Sequence, residues 1–253
     1  MSASVTNGAE ELHSSAFALF SACLLIFVAL CDAGFVGAIT PQIATGLGSS
    51  KAVVAASVTL YSIAAASVAL WLGKVSSSSK TQGLKPGSWL PNAAFLFAGS
   101  SIIAFLSPHI SIFLLARAAT GVASGLISAL AIAALANASS YDRRGKQMIG
   151  PAICYFLAPV FGVPMAAFLT ATFNWRIVFV FTAFSAVVAG LFVLRYPLPN
   201  RAKKESEVTS TSSSLYKMAT RSRSTTMGIV GAFFVSGGLV GFTTYIGIWL
   251  SEA

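Results

Sequence analysis

The chain has 253 residues, 56% of them hydrophobic and only 9% charged, with a formal net charge of +9 and a mean hydropathy of +0.80. A soluble domain carries charge on about a quarter of its residues, and here the polar residues fall between long apolar runs instead of alternating with them. Composition therefore excludes an ordinary soluble protein and indicates an all-α polytopic membrane protein. Three cysteines without paired spacing and two histidines leave no expectation of a metal site or a cofactor.

Residues 1–15 are polar and hold Glu10 and Glu11 but no Lys or Arg. A secretory signal needs a positive region ahead of a short apolar core, so this stretch reads as a cytoplasmic tail before a retained span. About 20 residues cross the hydrocarbon core at 1.5 Å per residue. Seven stretches qualify or nearly do: 17–39, 53–72, 90–106, 110–135, 148–170, 177–194 and 227–250.

Alternating the side of each link places those after spans 2, 4 and 6 on one face. Thirteen of the sixteen Lys and Arg lie in those three links: Lys74, Lys80 and Lys85; Arg143, Arg144 and Lys146; and Arg195 through Arg223. The opposite links hold only Lys51 and Arg176. This is the positive-inside bias. It accounts for the net charge without nucleic acid and puts the N-terminus in the cytoplasm. A seven-span receptor matches the span count but needs the N-terminus outside. The long link 195–225 opens with prolines that end span 6, continues with a Ser/Thr tract and closes on basic residues that suit anionic headgroups. Cys23, Cys31 and Cys154 lie inside apolar spans and read as small buried hydrophobes. Trp71, Trp89, Trp175 and Trp249 fall near span ends, as an interfacial aromatic belt predicts.

Span 1 ends in DAGFVGAITPQIATGLGSS, and span 4 carries RAATGVASG, an Arg-x-x-x-Gly at Arg117 and Gly121. Span 5 carries APVFGVPMAAFL, with Gly162, Val163 and Pro164 in sequence. NWRIVFVF follows at once, a Trp-Arg-x-x-Phe at Trp175, Arg176 and Phe179. In this order and at these spacings the segments resemble the major facilitator superfamily, and within it the drug:proton antiporter and sugar-efflux branch. The resemblance implies a six-helix bundle of two inverted three-helix repeats over residues 16–194. It implies that 195–225 is a cytoplasmic linker and that 226–253 is the first helix of a C-terminal bundle the chain does not include. The chain departs from the family between spans 2 and 3, where Gly73 is present but Ser77 and Ser78 stand in place of the usual Asp and Arg.

Asp32 is the only acidic residue inside a span. Counting along the helices at 1.5 Å per residue, it sits roughly 6 Å outward of the midpoint of span 1, and Arg117 roughly 8 Å outward of the midpoint of span 4. Two opposite charges are thus expected at one depth, on the helices that face the substrate cavity in this fold. They form either a proton-coupling pair or a static ion pair. An adjacent arginine favours the charged carboxylate and desolvation favours the neutral acid; a proton carrier needs the two close to balance.

Gly121 and Gly125, one turn apart, permit close helix packing or line a cavity, and Gly237 and Gly241 repeat the spacing in span 7. Pro159 and Pro164, with Gly162, should bend span 5. The resemblance links that region to exchange direction, and a packing role is the alternative. Gln42, Tyr61 and Tyr155 are candidate cavity-lining polar groups. No catalytic constellation is present. The expectation is a secondary-active exporter in the plasma membrane, coupling protons to a small-molecule substrate by alternating access. The alternative is a half-transporter or non-transporting membrane protein that needs a second half or a dimer partner.

Overall fold

A computed structural model describes residues 2–76, 86–138 and 144–197, together with Met227, Gly231, Phe234 and Gly238. Its helices in order are α1 (Ser2–Ala38), α2 (Thr40–Gly46), α3 (Lys51–Ser76), α4 (Pro86–Leu106), α5 (Ile110–Ala138), α6 (Arg144–Thr172) and α7 (Ile177–Arg195). Six segments are long and apolar enough to cross a membrane: Phe17–Ala38, Lys51–Gly73, Gly87–Leu106, Ile110–Ala136, Gln147–Thr172 and Ile177–Arg195. They match the first six expected spans within a few residues. The expected seventh span, with Gly237, Gly241 and Trp249, lies outside the described residues except at Met227, Gly231, Phe234 and Gly238, all helical. Ser77, Ser78 and most of the link 195–225 lie outside them as well.

The first helix begins at Ser2, so the polar stretch ahead of the first span is helical too. A short helix, α2, follows the first span; Pro41 stands near its N-terminus, where the absent N–H is not missed. Proline also leaves α6 unbroken: Pro151, Pro159 and Pro164 all lie inside one continuous helix.

The packing order exposes the repeat. The spans divide into α1, α3, α4 and α5, α6, α7. The second helix of each unit packs mainly on the first helix of the other, α3 on α5 and α6 on α1. The third helices, α4 and α7, pack on each other and each on the first helix of its partner unit. Exchanging the two units reproduces the main contacts, α3 with α5 for α6 with α1 and α4 with α5 for α7 with α1. Because two spans lie between equivalent helices, equivalents cross the bilayer in opposite directions, which makes the repeat inverted.

The core divides along the bundle into two apolar clusters. One gathers Leu25, Phe97, Ile127 and Leu135, the other Phe35, Val36, Phe113 and Phe179. Along α1 the first cluster ends at Ala29 and the second begins at Cys31; along α5 the break falls between Ala116 and Ala123. The buried polar residues Asp32, Arg117 and Thr120 sit at that seam.

Candidate functional site

At the seam, Arg117 Nη1 of α5 donates to Asp32 Oδ2 of α1 at 2.7 Å. Both residues are 0% exposed. The first helices of the two inverted units therefore meet through opposite charges, closed off from the surface, and in this conformation neither residue faces open space. The contact is one-pronged: Asp32 Oδ1 and Arg117 Nε are buried without a hydrogen-bond partner among the described residues. Arginine and carboxylate can form two parallel bonds, so half of this pair's bonding capacity is unused.

Two aromatic rings hold the guanidinium. Its carbon stands 4.6 Å from the Tyr61 centroid and 5.9 Å from that of Phe179, within the range of cation–π attraction. The Tyr61 hydroxyl donates to Ala29 O at 3.1 Å, tying α3 to α1 one turn below Asp32. Of the three candidate cavity-lining residues, Tyr61 alone is at the pair. Gln42 is exposed on α2, and Tyr155 is 52% exposed on α6.

Gly121 and Gly125 lie where α5 crosses α3. A Cβ on Gly121 would strike the Tyr61 carbonyl, and one on Gly125 the Ala65 carbonyl. At both positions the lack of a side chain lets the two backbones touch, and this seats Tyr61 under Arg117. Gly162 has the same kind of contact with α1, where a Cβ would sit 3.1 Å from Phe35 and 3.4 Å from Cys31.

Trp175 corrects the sequence reading. It is 6% exposed, unlike Trp71 and Trp89, and belongs to the core. Its ring meets Phe113 at 6.2 Å and Phe179 at 6.1 Å, both edge-on, and its indole edge covers Gly46 of α2. Proximity to a span end implied the interface, but the ring turns inward and packs against Phe113, Phe179 and Gly46. The neighbouring Arg176 donates through Nη1 to Phe105 O at 2.6 Å and Ser107 O at 2.8 Å. These carbonyls end α4, where helix carbonyls lack intrahelical partners and a cation is favoured by the dipole. Phe179 then connects this cluster to the ion pair, because it packs edge-on against Phe113 at 5.6 Å and also faces Arg117. Its reach to Arg117 is a tertiary contact without a local sequence signal.

A profile of the Major Facilitator Superfamily matches residues 22–253. The chain belongs to that superfamily. It is a multi-pass integral membrane protein. It is 30% identical over 132 residues to the Multidrug resistance protein B homolog of Mycobacterium tuberculosis, covering 52% of this chain and 24% of that protein. It is 27% identical over 154 residues to the Uncharacterized MFS-type transporter YwfA of Bacillus subtilis, covering 60% of this chain and 35% of that one. The chain thus spans about a quarter to a third of the length of these relatives.

Among solved structures it resembles the peptide transporter POT in complex with sulfate, with a TM-score of 0.61 at 12% identity, over 91% of this chain and 49% of that one. It also resembles the inward open xylose transporter XylE from E. coli, with a TM-score of 0.56 at 16% identity, over 87% and 56%. At such identities the likeness is one of fold, and it extends over about half of each transporter.

Proposed function

We propose that this chain forms the first bundle of a proton-coupled exporter of small molecules, with Asp32 as the proton-carrying group and Arg117 as the group that sets its protonation. The observation that carries the reading is the one-pronged buried pair. Burying two charges is costly, and a purely structural pair offsets that cost best when every donor and acceptor is matched. Here Asp32 Oδ1 and Arg117 Nε are unmatched, so the pair is held by a single bond that protonation of Asp32 would weaken. Breaking it loosens the contact between α1 and α5, the helices that head the two repeats, and alternating access needs such a coupling between proton and helix contact. The relative named for multidrug resistance supports small-molecule efflux as the direction, and the basic links support a plasma-membrane topology with the N-terminus inside.

The test uses everted membrane vesicles carrying an imposed pH gradient and a pH-sensing dye. A panel of lipophilic cations, neutral dyes and sugars is added, and collapse of the gradient marks exchange. Asp32→Asn is expected to abolish the response. A response of unchanged size in that variant would remove Asp32 as the coupling group.

A second reading is a half-transporter that acts only beside a partner bundle. The helices α3 and α6 favour it: they bury the smallest share of their membrane-spanning lengths and expose Leu70, Trp71, Phe156 and Val160. Cross-linking in native membranes, followed by sizing, separates the two readings.

A further inference from the structure

Between α1, α6 and α7 lies a cavity of about 300 Å³, a size at which small-ligand sites begin. Its floor is a stripe of α1, Leu24, Phe27, Cys31 and Phe35, spaced as residues on one helical face are. Cys31 and Phe35 are buried. Gly162 and Met165 of α6 form one wall, and Thr182 and Ser185 of α7 the other. The exposed rings of Phe161 and Phe184 flank the mouth.

The crevice follows from helix packing. Both α6 and α7 rest on α1, yet they scarcely touch each other. Gly162 draws α6 close to α1, while α6 and α7 stay apart, so a wedge of space stays open along the floor.

Its chemistry restricts the occupant. No charged residue lines it. The Thr182 hydroxyl donates to Val178 O at 2.8 Å, and the Cys31 thiol to Ala158 O at 3.6 Å. Water needs two to four polar partners to settle in a cavity, and apolar cavities stay dry. An apolar void, in turn, forfeits the dispersion contacts of its lining. Depth decides what reaches the mouth. Cys31, Gly162 and Ser185 each lie within about 5 Å of the midpoint of their membrane-spanning segment, counted at 1.5 Å per residue. The crevice therefore lies at the depth of the hydrocarbon core, away from headgroups and water, and opens beside the exposed apolar side chains Phe161 and Phe184.

We infer that the α1–α6–α7 crevice is a lipid site that takes the acyl chain of a bilayer phospholipid, threaded between Phe161 and Phe184 onto the α1 floor. The inference rests on the membrane fold and not on the direction or coupling of transport.

The experiment uses the protein in liposomes containing a phosphatidylcholine with a photoactivatable diazirine at mid-chain. After irradiation and digestion, adducts are mapped by mass spectrometry. Adducts are expected on the buried floor, at Cys31 and Phe35, as well as on the outward-facing Leu191. Ser185→Phe and Val188→Phe each fill the crevice and should cut the floor adducts several-fold while leaving Leu191 labelled. Adducts confined to outward-facing residues of the unmodified protein would overturn the inference. So would floor adducts that persist undiminished in a folded filling variant. Should neither variant fold, the adduct map of the unmodified protein decides alone.

Discussion

The Arg117 guanidinium lies 4.6 Å above the ring of Tyr61, and the Tyr61 hydroxyl is bonded to Ala29 O. One side chain of α3 thus holds the cation of α5 and the backbone of α1 together. The two functions separate in two substitutions. Tyr61→Phe keeps the ring and loses the hydrogen bond, with an expected cost of about 1 kcal/mol. Tyr61→Leu also removes the cation–π contact with a desolvated guanidinium, worth about a further 2 kcal/mol. Thermal unfolding in mild detergent measures both, and equal destabilisation by the two variants would show that the ring does not hold Arg117.

Gly121 and Gly125 give the clearest steric forecast. A methyl group at either position meets a carbonyl of α3, and backbone cannot swing aside as a flexible side chain can. Gly121→Ala and Gly125→Ala are each expected to destabilise by about 1–3 kcal/mol through overpacking. Gly99→Ala is the control. Nothing lies within 4 Å of its Cβ position, so replacing a mid-helix glycine there should be neutral or stabilising by about 0.5–1 kcal/mol. The three variants are compared by unfolding midpoint in one detergent.

The bundle, its spans and the opposite charges at one depth are legible in the sequence because bilayer thickness and the cost of buried charge act on every residue separately. Asp32 and Arg117 stand out in runs of apolar side chains, and counting 1.5 Å per residue levels them. The arrangement around them is not legible in the same way. Tyr61, Gln42 and Tyr155 look alike as polar groups in or near spans, but only Tyr61 faces the pair, since helix rotation is set by packing partners far away in sequence. Trp175 shows the same limit: its position near a span end fits a membrane interface, whereas its ring turns inward and packs against Phe113 and Phe179.

Arg176 ends α4 from across the bundle, 71 and 69 residues away from the carbonyls it binds. Arg176→Ala should cost about 1.5–3 kcal/mol, the range for hydrogen bonds to charged groups. Arg176→Lys should recover part of that, because a single ammonium supplies the charge without the planar array of donors. Unfolding midpoints give the ranking wild type, Lys, Ala. A Lys variant no better than Ala would assign the effect to guanidinium geometry alone, and an Ala variant as stable as wild type would show that the contact contributes nothing.

The ion pair itself allows stability to be separated from the proposed coupling. Arg117→Met leaves the Asp32 carboxylate buried without its partner, a loss of about 3–5 kcal/mol for breaking a buried pair from one side. Asp32→Leu strands the guanidinium with a penalty of the same kind. The double variant removes both charges and refills the space with apolar groups of similar size, a replacement that is often neutral or stabilising. Its unfolding midpoint is therefore expected to lie closer to that of the unmodified protein than either single variant does. Strict additivity of the two losses would mean that the residues do not act as a pair. The double variant should also show no proton response in the vesicle assay, since the bundle then stands without its titratable group. A folded double variant that still exchanges protons would place the coupling elsewhere.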